Sequence, residues 1–182
     1  IDFLNFYARE EVFYSEKNRH AIPRGVFTVV SPWNFPLSIP CGMTVAAIVA
    51  GNTVLLKSST QTPLIAQVMV DILHHAGVPD DVLIHVPGSG GDVGSILIKD
   101  QMVQGIVFTG SKEIGMWIAD QAEKRVTVSA WDEKLRYSAR VITEMGGKNA
   151  VIVTANAELD ETVSSVLYSC FGHAGQNCSA AS

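Results

Sequence analysis

With 182 residues, of which 47% are apolar and 17% charged, the chain has enough hydrophobic material for a substantial core and too little charge for a disordered segment. Its formal net charge of −5 and lack of a basic tract argue against a nucleic-acid partner. The longest apolar run, residues 45–50, is far too short to cross a bilayer, so no membrane partner is expected. Three cysteines, Cys41, Cys170 and Cys178, show neither framework nor zinc-finger spacing. They point away from a disulfide scaffold and a metal site and toward a reducing compartment, the cytoplasm or, in a eukaryote, the mitochondrial matrix.

In chain order, Phe3, Leu4, Phe6, Tyr7, Phe13 and Tyr14 recur at helical intervals and predict a first helix. The chain opens inside that helix without methionine and closes on Ser182 without a helix stop, which reads as a segment of a longer polypeptide. From Gly25 the texture becomes β-rich, with a strand at Val26–Val30 broken by Pro32 and Pro36. A small-residue helix opening at Cys41 ends at Gly51 and Asn52. TVLLKSS is a short buried strand. TPLIAQVMVDILHHAG is an amphipathic helix with Pro63 in its first turn and Gly77 as its cap. VLIHVPG is a strand, GDVGSILIKD a short helix, GIVFTG a strand and SKEIGMWIADQAEK a helix. The stretch from Arg125 predicts a polar connection and then a strand at 140–143. NAVIVTA predicts a further strand, and LDETVSSVLYSCFGHAG a helix. This alternation predicts an α/β fold of Rossmann type: a mostly parallel sheet with helices on both faces and ligands at the strand C-terminal ends. Residues 1–144 are expected to form this domain, partial at its N-terminus, and 145–182 the beginning of a second α/β domain.

Several turns carry side chains suited to chemistry. HVPGSGGDVG and FTGSKEIG are strand-to-helix turns with close-approach glycines, and a following helix could offer amides to a pyrophosphate. Neither matches G-x-G-x-x-G, so each reads equally as an ordinary turn. Lys57 at a strand end could reach ribose or phosphate, or be solvated. In SPWNFP, two prolines fix the backbone around Asn34, whose amide could stabilise an oxyanion, or the motif is a structural turn. Glu144 precedes two glycines and could act as a general base or lie exposed. Of the cysteines, only Cys178, in GQNCSAAS, has the small-residue surroundings of a reachable thiol. Cys41 and Cys170 read as packed residues. His74, His75, His85 and His173 have no spacing that suggests a triad or a metal and read as surface or structural residues.

In this order, PWNFP, GNTVLLK, FTGS, EMGGKNAVIV and GQNCSAAS resemble the aldehyde dehydrogenase superfamily over nearly the whole chain. IDFLNFYARE, QTPLIA, GGKNAVIV and GQNCSAAS are most similar to its branch that oxidises glutamate γ-semialdehyde to glutamate in proline breakdown, as a single enzyme or as the C-terminal part of a bifunctional one. The resemblance implies that Cys178 attacks the aldehyde to give a thiohemiacetal. Asn34, with the Cys178 amide, holds the oxyanion, and hydride loss leaves a thioester. Glu144 activates the water that hydrolyses it. It implies NAD as cofactor, with Lys57 on the adenosine ribose and Trp33, Gly90, Gly110 and Ser111 around the phosphates. Gly94, Thr60 and Gly146 are counted in the same site. Phe35 and Ser179 shape the substrate pocket. The parent enzyme is expected to be a homo-oligomer acting on a small aldehyde.

Departures from the family pattern matter. The family usually reads K-P-[SA]-E where this chain has KSST, so Thr60 replaces a glutamate that commonly meets the adenosine ribose. That makes NADP use plausible. EMGG for the usual E-[LT]-G-G is mild. The chain is far shorter than members of the superfamily, and alone it is expected to have little or no turnover. An aldehyde dehydrogenase of broad specificity and a non-catalytic fragment are the competing readings.

Overall fold

The β-branched run Val26–Val30 forms β1, the central strand of a five-stranded sheet in the computed structural model, which describes residues 1–17, 22–132 and 134–182. It is flanked by β2 (Thr53–Lys57) and β4 (Val103–Thr109), with β3 (Leu83–His85) and β7 (Arg140–Glu144) at the edges. The order is β3-β2-β1-β4-β7 and every pairing is parallel. The predicted mostly parallel sheet with helices is therefore present. In β1, Phe27, Thr28 and Val29 are buried in succession, and in β4 so are Val103, Gln104, Gly105 and Ile106. Successive strand side chains point to opposite faces, so consecutive burial means that both faces of the sheet are covered. The edge strand β7 alternates between exposed and half-buried residues instead.

The helices are α1 (Asp2–Glu16), α2 (Ser38–Val49), α3 (Pro63–His75), α4 (Ser95–Lys99) and α5 (Lys112–Glu123). Pro63 stands in the first turn of α3, where no intrahelical N–H is needed. At its other end Gly77 takes φ +105°, and the Gly77 and Val78 amides donate to the carbonyls of His74 (2.9 Å) and Leu73 (3.0 Å). This closes the helix with the left-handed cap expected of a glycine. The core joins β1, β2 and β3 to α2 and α3 through Val29, Val54, Leu56, Ala66, Met69, Val70 and Leu83, each at most 4% exposed. α1 lays Tyr7 against this core and Phe3 against α2, where a methyl at Gly42 would come within 3.2 Å of the Phe3 ring.

Four expectations change. α2 begins at Ser38 rather than Cys41 because Pro40 falls in its first turn, where a missing N–H breaks no intrahelical bond. The stretch after Arg125 is not simply a connection. It contains the antiparallel pair β5 (Val126–Val128) and β6 (Arg136–Ser138) before β7, with Glu133 outside the described residues. NAVIVTA forms no strand among the described residues. Only Asn149 makes a bridge, to Ala181, while Ile152 is 88% exposed, and a strand exists only where a neighbour supplies its hydrogen bonds. α6 (Leu159–Phe171) ends four residues earlier than expected, in a turn over Gly172–Gly175 where His173 (φ 53°) and Ala174 (φ 55°) are left-handed and interrupt the helix.

The chain divides into two compact units, Ile1–Glu144 and Met145–Ser182. All buried residues among those described belong to the first. No helix among the described residues is long and apolar enough to cross a membrane, and none of their acidic, histidine and cysteine side chains gather in a group able to hold a metal.

Candidate active site

In the first unit the chain order reverses between β1 and β4, so the crevice at their C-terminal ends is the natural ligand position of this fold. Register fixes what reaches that edge. Val30 of β1 pairs with Lys57 of β2 and Phe108 of β4, and Thr109 pairs with Glu144 of β7. Lys57, Gly110, Ser111, Glu144 and the loop carrying Trp33, Asn34 and Phe35 thus all leave the same edge of the sheet.

Lys57 is 6% exposed, and its ammonium donates to the Ser58 carbonyl at 3.0 Å. Among the described residues no carboxylate is ion-paired with it, and burial pulls its pKa below the ordinary lysine value. Gly94 lies against it: a methyl there would stand 3.9 Å from Lys57 Cε. The glycine turn over Gly90–Gly94 is a π-helical turn capped by Ser89. Ser89 Oγ accepts from the Asp92 amide (3.0 Å), and the Ser89 carbonyl accepts from those of Val93 and Gly94 (3.1 Å each). These three amides are satisfied internally, so they are not the open donors that the sequence suggested. Thr60 is exposed in the turn after β2.

At the second glycine turn, the Gly110 amide donates to the Glu144 carbonyl at 3.1 Å, tying the ends of β4 and β7. Ser111 is the N-cap of α5 and accepts from the Ile114 amide at 3.5 Å. Glu144 ends β7 exposed. Trp33 is 41% exposed, and Asn34 and Phe35 are half-buried. Asn34 and Phe35 line a groove of about 510 Å³ with Phe3, Leu37 and Cys41. Cys41 is half-buried, and burial raises its thiol pKa, which keeps it protonated.

In the second unit, Cys178 and Ser179 are exposed and Gly146 has open space around it, whereas Cys170 is half-buried. The Cys178 segment is held by a residue that the sequence reading passed over. Asn149 Nδ2 donates to the carbonyls of Cys178 (2.7 Å) and Ala180 (3.0 Å), and the Asn149 carbonyl accepts from the Ser182 amide (3.0 Å). Gly147 lies so close beneath that a methyl would come within 2.5 Å of the Cys178 carbonyl. An amide between two glycines and an apolar run was the available signal.

His85 is a structural residue, one of the two readings the sequence allowed. Its Nε2 lies 2.9 Å from Ser58 Oγ and its Nδ1 2.8 Å from Gln67 Oε1, while Gln67 Nε2 donates to Asp71 Oδ1 at 2.8 Å.

A parallel sheet with this strand order, with a buried lysine and glycine turns at its switch point, defines a Rossmann-type α/β chain. The chain belongs to the aldehyde dehydrogenase family, whose sequence profile matches residues 8–182. It is 43% identical over its whole length to 1-pyrroline-5-carboxylate dehydrogenase of Anoxybacillus flavithermus and 42% identical to that of Bacillus subtilis. It spans 36% of the length of each. Among solved structures it is similar to 1-pyrroline-5-carboxylate dehydrogenase from Thermus with bound NAD, at a TM-score of 0.85 and 34% identity, covering 100% of this chain and 36% of that one. It is also similar to proline utilization A from Bdellovibrio bacteriovorus, at a TM-score of 0.77 and 44% identity, covering 88% of this chain and 16% of that one.

Proposed function

We propose that the chain supplies the dinucleotide site and the nucleophile of an enzyme that oxidises glutamate γ-semialdehyde to glutamate. The observation that carries this reading is the 42–43% identity, over the whole chain, to relatives named 1-pyrroline-5-carboxylate dehydrogenase. The exposed Cys178 and the residues at the sheet edge fit the chemistry. Residues 1–144 are the dinucleotide-binding part and 145–182 open the catalytic part.

The residues present suit NAD. An ammonium that is buried and has no carboxylate partner among the described residues suits ribose hydroxyls, and the side-chain-free surface at Gly94 leaves room beside it. Lys57 would hold the adenosine ribose. Trp33, Gly90, Gly94, Gly110, Ser111 and Gly146 would flank the rest. Thr60 leaves no carboxylate to repel a 2′-phosphate, so NADP is a second candidate. The dinucleotide, when bound, supplies the acceptor for the aldehyde hydride.

The chain's own residues do the remaining work. Cys178, as thiolate, adds to the aldehyde carbon and forms a thiohemiacetal. The Asn34 amide and the Cys178 backbone N–H donate to the oxygen on which charge develops. Once the carbon is oxidised to a thioester, Glu144 takes a proton from water, whose attack releases glutamate and returns the thiolate. Phe35 and Ser179 border the aldehyde.

The test uses the whole enzyme with glutamate γ-semialdehyde and with simple aliphatic aldehydes. Cys178→Ser abolishes oxidation. Asn34→Ala lowers kcat by about 10²–10³ and leaves the Kd for NAD within roughly twofold. An Asn34→Ala rate within a few-fold of the unsubstituted enzyme would overturn its role, and equal kcat/KM for aliphatic aldehydes would overturn the substrate.

A further inference from the structure

Cys178 sits in a tight turn whose two flanking peptide planes are both held through their carbonyls. The Ala180 amide donates to the Asn177 carbonyl at 3.1 Å, which closes a turn with Cys178 and Ser179 at its central positions. That bond fixes the peptide before Cys178. Asn149 fixes the peptide after it, since its Nδ2 donates to the Cys178 carbonyl at 2.7 Å. The same nitrogen donates to the Ala180 carbonyl at 3.0 Å, so one side-chain amide grips the turn on both sides of Ser179. In a trans peptide the N–H opposes the C=O, so each held carbonyl aims an amide the other way. Among the described residues, neither the Cys178 nor the Ser179 amide makes a hydrogen bond. With both planes held, the backbone angles of Cys178 are set. Its Cα–Cβ direction follows, and the thiol keeps one rotation, about χ1.

We propose that Asn149 is a positioning residue for the nucleophile: by bridging the Cys178 and Ala180 carbonyls it sets the direction from which the thiolate meets the aldehyde carbon, and it keeps the turn closed so that the Cys178 amide stays free for the oxygen on which charge develops. This rests on the reading of Cys178 as the nucleophile. The side chain serves aim more than stability. Asn149 and Cys178 are both exposed, so water takes over the carbonyls when the amide is removed, and the fold loses little. Water hydrogen-bonds a carbonyl but does not hold two of them at fixed places relative to one backbone. Attack on a carbonyl needs a narrow approach, so angular freedom at Cys178 lowers the share of bound aldehyde within reach. Gly147 completes the support. A methyl there would come within 2.5 Å of the Cys178 carbonyl and 2.7 Å of Asn149 Nδ2, so a side chain at 147 would push the donor and its acceptor out of place.

The experiment compares Asn149→Ala, Gly147→Ala and Cys178→Ser with the unsubstituted whole enzyme, using glutamate γ-semialdehyde and NAD. Asn149→Ala is expected to lower kcat by about 10- to 100-fold, the scale of a small misplacement of a reacting group, while KM stays within roughly threefold. Its rate of alkylation by iodoacetamide is expected to stay within about threefold, because a small reagent takes a thiolate in any orientation and reports its reactivity alone. Gly147→Ala, which keeps the Asn149 amide but displaces it, lowers kcat in the same way and is the second route should the first variant fold poorly. If Cys178→Ser is inactive and Asn149→Ala keeps its kcat within about twofold, the positioning role is overturned. A fall in kcat matched by an equal fall in alkylation also overturns it, since the thiol would then have lost reactivity rather than aim. If Cys178→Ser still turns over, the nucleophile reading itself fails, and the role of Asn149 with it.

Discussion

At the scale of single residues, Asn52 shows how one side chain joins elements distant in sequence. The Gly51 and Asn52 amides donate to the carbonyls of Ile48 (2.8 Å) and Ala47 (3.1 Å), with Gly51 at φ +80°, which closes α2. The Asn52 side chain, in a residue 6% exposed, then accepts from the amides of Arg24 (2.8 Å) and Gly25 (3.1 Å) and donates to the Ala47 carbonyl (3.1 Å). Asn52→Ala is expected to cost about 2–3 kcal/mol, because it strands partly buried backbone groups at both places. Urea unfolding checks this, and a loss under about 0.5 kcal/mol contradicts it. The pair Gly51–Asn52 was legible as a helix end because that signal is local. The bond to Arg24, 28 residues back, was not, since no local pattern specifies a partner at that distance. The same holds for Asn149 and Cys178, and for Ser58 and His85: residue types are visible in sequence, but their pairing depends on the register of strands and loops.

At the scale of elements, β4 shows why the polar stretch after α5 was misread. The pairing of β1 with β4 slips one residue between Val26 and Phe27, leaving Gln104 as the extra residue of a bulge. Its fully buried side chain fills the gap: Oε1 accepts from the Val26 amide (2.6 Å) and Nε2 donates to the Val128 carbonyl of β5 (2.8 Å). Thr127 adds a bond from Oγ1 to the Gln101 carbonyl (2.6 Å), and Arg125 caps the Asp100 and Val103 carbonyls. The pair β5–β6 is thus anchored by polar side chains rather than by an apolar run, and hydrophobic periodicity does not report such anchors. Gln104→Leu keeps the volume but removes both bonds. It is expected to destabilise by about 2 kcal/mol and to speed amide exchange at Val26 above all. Unchanged exchange at Val26 would show that the bulge does not depend on this side chain. The strand expected at NAVIVTA errs in the opposite direction: its β-branched residues have the right propensity, but pairing rather than propensity makes a strand.

At the scale of the whole molecule, the alternation of strands and helices was legible because a parallel sheet needs a crossover between neighbours, and each crossover writes a 3.6-residue period between two apolar runs. The sheet edge that collects Lys57, Gly110 and Glu144 follows from that order, since in a parallel sheet every strand ends on the same side. The distribution of burial was less legible. Composition is apolar throughout, yet the residues that reach full burial lie within Ile1–Glu144, while in Met145–Ser182 Ile152, Leu159, Tyr168 and Phe171 are 71–88% exposed. Folding stability tracks apolar area removed from water, so cooperative stability should reside in the first unit. Deleting 145–182 is therefore expected to leave a fragment of residues 1–144 that unfolds in one transition, with its Tm within about 3 °C of the full chain, equivalent to less than about 1 kcal/mol. In the full chain, hydrogen exchange should protect β1, β2 and β4 most strongly and leave the amides of 145–182 nearly unprotected. Calorimetry of the two chains measures the first expectation and mass-resolved exchange the second. A fall in Tm beyond roughly 10 °C on deletion, or strong protection across α6, would place a share of the cooperative core in the second unit and refute this division of stability.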